Sequence, residues 1–158
     1  MIISNKMKKK VLAFIVYEDK FLALERNKHP DHAPKGGWFV VTGGVKENES
    51  YKQAVTREVK EETKLHVKDI FPLNWGSVYE LNYKGQEIIC EEHNFLVSVN
   101  SKNVVLNEEH ASHVWLNLDQ FIKKIDWSDN KELLKKVLSK ALKKKSFFDK
   151  LTIKDYRE

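Results

Sequence analysis

Residues 43–65 read GGVKENESYKQAVTREVKEETKL, and the reading of the whole chain turns on their phasing. Gly43-Gly44 closes a short β-prone run, Phe39 to Thr42, and Asn48-Glu49-Ser50 supplies capping residues before a helical pattern begins. At 100° per residue Tyr51, Ala54, Val55 and Val59 fall within an arc of roughly 140°. Lys52, Gln53, Thr56, Lys60, Thr63 and Lys64 lie opposite. Glu58, Glu61 and Glu62 stand at i, i+3 and i+4, so three carboxylates share one side of one helix.

Glu58 and Glu62 fall inside the apolar arc and Glu61 at its edge, so the carboxylates face the protein body rather than bulk water. A solvated charge run would do the reverse. Partly buried like charges are tolerated when a cation neutralises them, and an all-oxygen set suits Mg²⁺ or Mn²⁺. A strand that turns through Gly43 and Gly44 lets backbone approach a metal or a phosphate closely before the chain enters the helix.

Gly43, five residues, Glu49, seven residues, then Arg57-Glu58-Val59-Lys60-Glu61-Glu62-Thr63-Lys64-Leu65 resembles the Nudix box, Gx5Ex7REUxEExGU with U aliphatic. Only Lys64 departs from it, replacing the glycine that ends the helix. The resemblance spans roughly residues 8 to 142, with its specific part in the box. Shorter features resemble the branch that hydrolyses dATP or dihydroneopterin triphosphate: Val41-Thr42-Gly43, Glu109-His110 shortly before Trp115-Leu116, and Trp127 with Asn130 ahead of the last helix.

The resemblance implies an α/β (α+β) protein, a mixed curved β-sheet between helices, with the box helix on one side and the C-terminal helix on the other. It implies an Mg²⁺-dependent hydrolase, Mn²⁺ being an alternative, that splits a nucleoside or pterin triphosphate into a monophosphate and pyrophosphate. Glu58, Glu61 and Glu62, with the Gly43 carbonyl, would hold the metal. Glu58 or Glu109 would take the proton, and Arg57 would fix the carboxylates through Glu49. By the same resemblance Arg26 and Gly44 would border the phosphates. Two rivals stand beside this reading: cleavage of a dinucleoside polyphosphate or a nucleotide sugar such as ADP-ribose, and a non-catalytic module that binds nucleotide or RNA. The second has no use for an intact acidic set.

With 158 residues, 41% of them hydrophobic and 32% charged, the chain suits one soluble globular domain. The expected domain is residues 1–145, with 146–158 an unassigned tail. The lone Cys90 excludes an internal disulfide and a cysteine zinc site, which fits the cytoplasm, and reads as a small buried side chain. Lys6 to Lys10 ahead of Val11 to Tyr17 mimics an export signal, but Glu18-Asp19-Lys20 interrupts it and no cleavage site follows. No run reaches the ~20 apolar residues of a membrane span. A net charge of +5 favours anionic ligands; the excess lies at the two ends without interleaved aromatics, which disfavours nucleic acid. Oligomeric state is open, a homodimer included.

Val11–Tyr17 and Phe21–Glu25 should form a hairpin, and Arg26–Gly37 an exposed loop. Trp38 reads as a core aromatic. Val67–Phe71, Val78–Tyr83 and Glu87–Asn100 are strand-like, with a turn at Tyr83-Lys84-Gly85-Gln86. Alternation sends Glu91 and His93 to one face and Glu92 to the other. His113–Leu116 is a strand, a helix starts at Asp119, and Leu133, Leu134, Val137, Leu138, Ala141 and Leu142 make a docked amphipathic helix.

Overall fold

The structure is a computed structural model describing residues 6–30 and 33–151. Its centre is β1 (Lys6–Tyr17), which turns through Glu18 and Asp19 into β2 (Lys20–Arg26). Both turn residues have positive φ, 47° and 62°, as a two-residue hairpin with the twist of its strands requires. β3 (Trp38–Phe39) and β4 (Val41–Gly44) follow, then α1 (Tyr51–Thr63). A long ribbon of β5 (Val67–Tyr83) and β6 (Gln86–Val99) comes next, then β7 (His110–Leu116), α2 (Leu118–Lys124) and α3 (Lys131–Leu151).

β1 runs parallel to β6 along most of its length, while the other pairings are antiparallel, so the sheet is mixed. On its other side β1 pairs first with β4, from Lys10 to Ala13, and then with β2, at Val16 and Tyr17. One edge thus serves two diverging partners. The β1 run Val11 to Val16 is buried throughout, because helices cover both faces. Val11, Ala13 and Ile15 pack with Ala54, Val55 and Val59 of α1. Leu12, Phe14 and Val16 pack with Phe121, Leu134 and Leu138 of α2 and α3. The expected sandwich, box helix on one face and C-terminal helix on the other, is the observed one.

Four details depart from the sequence reading. The strand does not stop at Gly43-Gly44: β4 includes both, paired to Val11 and Lys10. β5 is one strand, because it is the sheet edge. There Pro72 needs no ladder donor, and a register shift between Pro72 and Gly76 absorbs the irregular residues. Thr63 is buried rather than solvent-facing, its hydroxyl donating to the Val59 carbonyl (2.6 Å) and accepting from Leu65 N–H (3.2 Å). α3 runs on past residue 145 to Leu151, into the stretch read as a tail. Cys90 is buried, as expected. No helix among the described residues is long and apolar enough to cross a membrane.

Candidate active site

Helix α1 carries the site, and both its ends are fixed locally. Ser50 is the N-cap: its hydroxyl accepts from Gln53 N–H, and the Gln53 side chain accepts from Ser50 N–H, a reciprocal capping box. At the other end Lys64 adopts φ 61°, ψ 13°, the left-handed geometry that the box gives to glycine. The helix therefore stops where the box predicts despite the lysine.

Arg57 organises the carboxylates nearest to it. Its guanidinium donates from Nε to Glu49 Oε2 (2.8 Å) and from Nη2 to Glu49 Oε1 (2.9 Å), a bidentate pair. Nη2 also donates to the Gly44 carbonyl (2.8 Å), and Nη1 to Glu58 Oε1 (2.7 Å) and Glu61 Oε2 (3.4 Å). The hydrogen bonds from Arg57 and the Lys46 N–H hold the Glu49 carboxyl down to about 2. Arg57 is raised in turn, chiefly by Glu49.

Glycine at position 43 has a steric cause. A Cβ there would lie 2.0 Å from Glu58 Cδ and 2.3 Å from Oε1, so the Glu58 carboxylate occupies the space a side chain would need. Gly44 has its carbonyl engaged by Arg57 and lies beside Lys8, whose Cε a Cβ would meet at 2.9 Å.

Glu62 is the most enclosed of the three helix carboxylates, 4% exposed, whereas the Glu61 side chain is 52% exposed at the rim. Glu62 Oε1 and His110 Nε2 share a hydrogen bond of 2.7 Å, and Glu62 Oε2 is buried without a partner. Burial, reinforced by the charges of Glu109 and Glu58, pushes the Glu62 carboxyl up to about 10. Burial lowers His110, which is therefore neutral near pH 7 and brings no compensating charge. Glu62, Glu109 and His110 each offer a ligand atom within 4.8 Å of the others. Because His110 spends Nε2 on Glu62, its role there is to orient that carboxylate.

Glu109 reaches the cluster from another part of the chain. Its N–H donates to Asn107 Oδ1 (3.1 Å), and its carbonyl accepts from Asn27 N–H (2.9 Å). The Asn27 amide also donates to the Glu108 carbonyl (2.7 Å), which ties the end of β2 to this loop. Arg26, next in the chain to Asn27, stacks over Phe39 at 4.4 Å. Burial lowers its pKa, while Asp126, Glu62 and Glu92 act in the opposite direction.

Glu58, Glu62 and Glu109 thus converge, with Glu61 at the rim, Arg26 within electrostatic reach and Glu49 with Arg57 as framework. The bond between His110 and Glu62 and the asparagine clasp are additions that sequence reasoning missed. The pairing of Glu109 with His110 was the only sequence signal for them. Trp38 packs at the edge of the α2/α3 core, as expected, with Lys124 4.3 Å above its ring.

Comparison with known proteins agrees. The NUDIX domain model matches residues 6–137. The sequence is 27% identical over 150 residues to the dihydroneopterin triphosphate diphosphatase of Haemophilus influenzae, covering 87% of this chain and 92% of that protein. The fold matches the E. coli dihydroneopterin triphosphate pyrophosphohydrolase with a TM-score of 0.61, at 24% identity over 81% of this chain and 94% of the other. A C. elegans Ap4A hydrolase matches with a TM-score of 0.58, at 21% identity over 87% and 97%. With the box spacing from Gly43 to Leu65 in place and the family match running through most of the length, the chain belongs to the NUDIX family.

Proposed function

We propose that this Nudix pyrophosphohydrolase cleaves a nucleoside or pterin triphosphate to a monophosphate and pyrophosphate, using Mg²⁺, or Mn²⁺ in its place. The observation that carries the reading is Glu62: a buried carboxylate with one unpartnered oxygen, crowded by Glu58 and Glu109 and hydrogen-bonded to a neutral histidine. Without a cation such a carboxyl keeps its proton, and a divalent ion that displaces the proton would offset the charge left behind. The carboxylates that converge there, with the His110 Nε2 already spent on Glu62, suit a hard oxygen-seeking ion.

Glu58, Glu61 and Glu62 would hold the ion with the Gly43 carbonyl and Glu109. When bound, a divalent cation neutralises phosphate oxygens and acidifies a coordinated water. The chain's own residues do the rest. Arg57 fixes Glu58 through Oε1 and Glu61 from the side, and His110 fixes Glu62 through Oε1, leaving Oε2 for the ligand. Arg26, on its Phe39 platform, meets a phosphate of the substrate. The attacking water gives its proton to Glu58 or Glu109 as its oxygen bonds to phosphorus and the bridging phosphoanhydride bond breaks.

The test is pyrophosphate release with and without Mg²⁺ across dNTPs, oxidised dGTP, dihydroneopterin triphosphate, diadenosine polyphosphates and ADP-ribose. One triphosphate turned over in an Mg²⁺-dependent way to monophosphate and pyrophosphate supports the proposal. Cleavage confined to diadenosine polyphosphates or ADP-ribose, or none with any metal, overturns it.

A further inference from the structure

The turn that carries Glu109 is supported from within and from outside. Within it, the Asn107 side chain accepts from Glu109 N–H (3.1 Å) and the Asn107 carbonyl accepts from His110 N–H (3.3 Å). From outside, its two tip carbonyls both accept from Asn27: Glu108 from the side-chain amide at 2.7 Å, and Glu109 from the backbone N–H at 2.9 Å. The strand register explains how Asn27 arrives there. Glu25 pairs with Ser112 and Arg26 with His110, so β7 holds one residue more than β2 across this step. The bulge brings Asn27 level with Glu109.

Stability does not account for the side-chain bond. It is exposed, and water would serve the Glu108 carbonyl about as well. What water cannot supply is direction. One bond leaves a turn free to pivot, whereas two bonds from one residue to consecutive carbonyls remove that freedom. Glu109 needs the restraint, because its ligand atom stands within 4.8 Å of those of Glu62 and His110. Glu58 and Glu62 are held through their carboxylates, by Arg57 and His110, while the bonds that hold Glu109 are to its backbone.

We infer that Asn27 is a positioning residue of the metal site: its side chain, bonded to the Glu108 carbonyl, holds the Glu109 carboxylate where it can share an ion with Glu58 and Glu62. The inference rests on the metal reading above and adds a residue that touches neither ion nor substrate. Asparagine suits the task. It offers a backbone donor and a side-chain donor, and no charge to compete with Glu109 for the ion; an ionised aspartate in its place would only accept. Arg26, its neighbour, has its N–H on the Gly37 carbonyl (2.8 Å) and its guanidinium over Phe39. The phosphate arm and the metal arm of the proposed site thus start from two consecutive residues.

The experiment is calorimetric titration with Mn²⁺ of metal-free wild type, Asn27→Ala, Glu109→Gln and the double variant, with a thermal melt of each without metal. Asn27→Ala should weaken Mn²⁺ binding about tenfold on its own and less than about twofold beside Glu109→Gln. Its metal-free Tm should stay within about 2 °C, because the lost bond is exposed and the Asn27 backbone bond remains. A merely structural role would weaken binding equally in both backgrounds, and that result, or no weakening at all, overturns the inference. Asn27→Leu, close to asparagine in volume and without a donor, repeats the cycle; wild-type Mn²⁺ affinity in it overturns the inference as well. A wild type that binds Mn²⁺ but cleaves no triphosphate defeats the function proposal and leaves this cycle decisive, whereas a wild type that binds no Mn²⁺ overturns both.

Discussion

Glu49 and Glu62 serve the same helix in opposite electrostatic settings. Glu49 faces a guanidinium at 2.8 and 2.9 Å and is held down to about 2. Glu62 faces other carboxylates and a neutral imidazole, and is pushed up to about 10. The sequence has placed its cation on the framework side of α1, where Arg57 ties the Glu49 loop and the Gly44 carbonyl to the helix. On the other side, among the described residues, no lysine or arginine forms an ion pair with Glu62, and Arg26 acts on it without one. The imbalance separates groups that build the site from groups that await a ligand, although all are glutamates from one motif.

The sharpest way to break this distinction is Glu62→Gln, which keeps the volume and a hydrogen bond to His110 while removing the ability to ionise. We expect kcat/KM to fall about a thousandfold, roughly 4 kcal/mol in the barrier, with metal-free Tm unchanged or higher. Equal losses of Tm and activity would make Glu62 a structural residue. Arg57→Lys tests the framework side: a point charge cannot reproduce the fork on Glu49 together with the bonds to Glu58 and Gly44. Activity and Mg²⁺ affinity should both drop about 10- to 100-fold, measured by Mg²⁺ titration of turnover. Unchanged Mg²⁺ affinity would show that Arg57 does not position the metal carboxylates.

The two carboxylates also divide the pH axis. Glu49 is lowered, so its stabilisation is present above its ordinary value of 4.5 and is lost as pH falls from there through about 2. Glu62 is raised, so between 4.5 and about 10 the unfolded chain has released a proton that the folded one keeps, and stability falls as pH rises. Metal-free Tm should therefore decline toward both extremes, and saturating Mg²⁺ should flatten the alkaline arm only. A thermal melt series checks this, and an alkaline arm indifferent to Mg²⁺ would detach Glu62 from the metal. The smallest effect belongs to Lys64→Gly, which relieves a left-handed lysine. It should stabilise the protein by about 1 kcal/mol, roughly 2–4 °C in Tm, with kcat unchanged.

Glu49, Arg57 and the three helix glutamates were legible from the sequence because a motif with fixed spacing and a 3.6-residue period place them within one element. The steric demand at position 43 was not, since it arises only when β4 and α1 are docked and Glu58 fills the space. Thr63 was misassigned because helical phase alone cannot see that its hydroxyl satisfies itself on Val59 and Leu65. His110 meets Glu62 across 48 positions, a contact that local pattern does not encode. β5 looked like two strands because Pro72 and Gly76 normally end one, and only its place at the sheet edge explains its continuity.

The parallel pairing of β1 with β6 carries a consequence for how the chain reaches this state. Partners such as Leu12 and Asn94 lie about 80 residues apart, so the centre of the sheet closes only after a large loop has been ordered. During synthesis the hairpin of β1 and β2 emerges before β6, so the apolar run from Val11 to Val16 lacks its longest partner until β6 leaves the ribosome. The strand that anchors the finished protein is therefore the segment most exposed to misassociation while the protein is being made, and a truncation before β6 should aggregate through it.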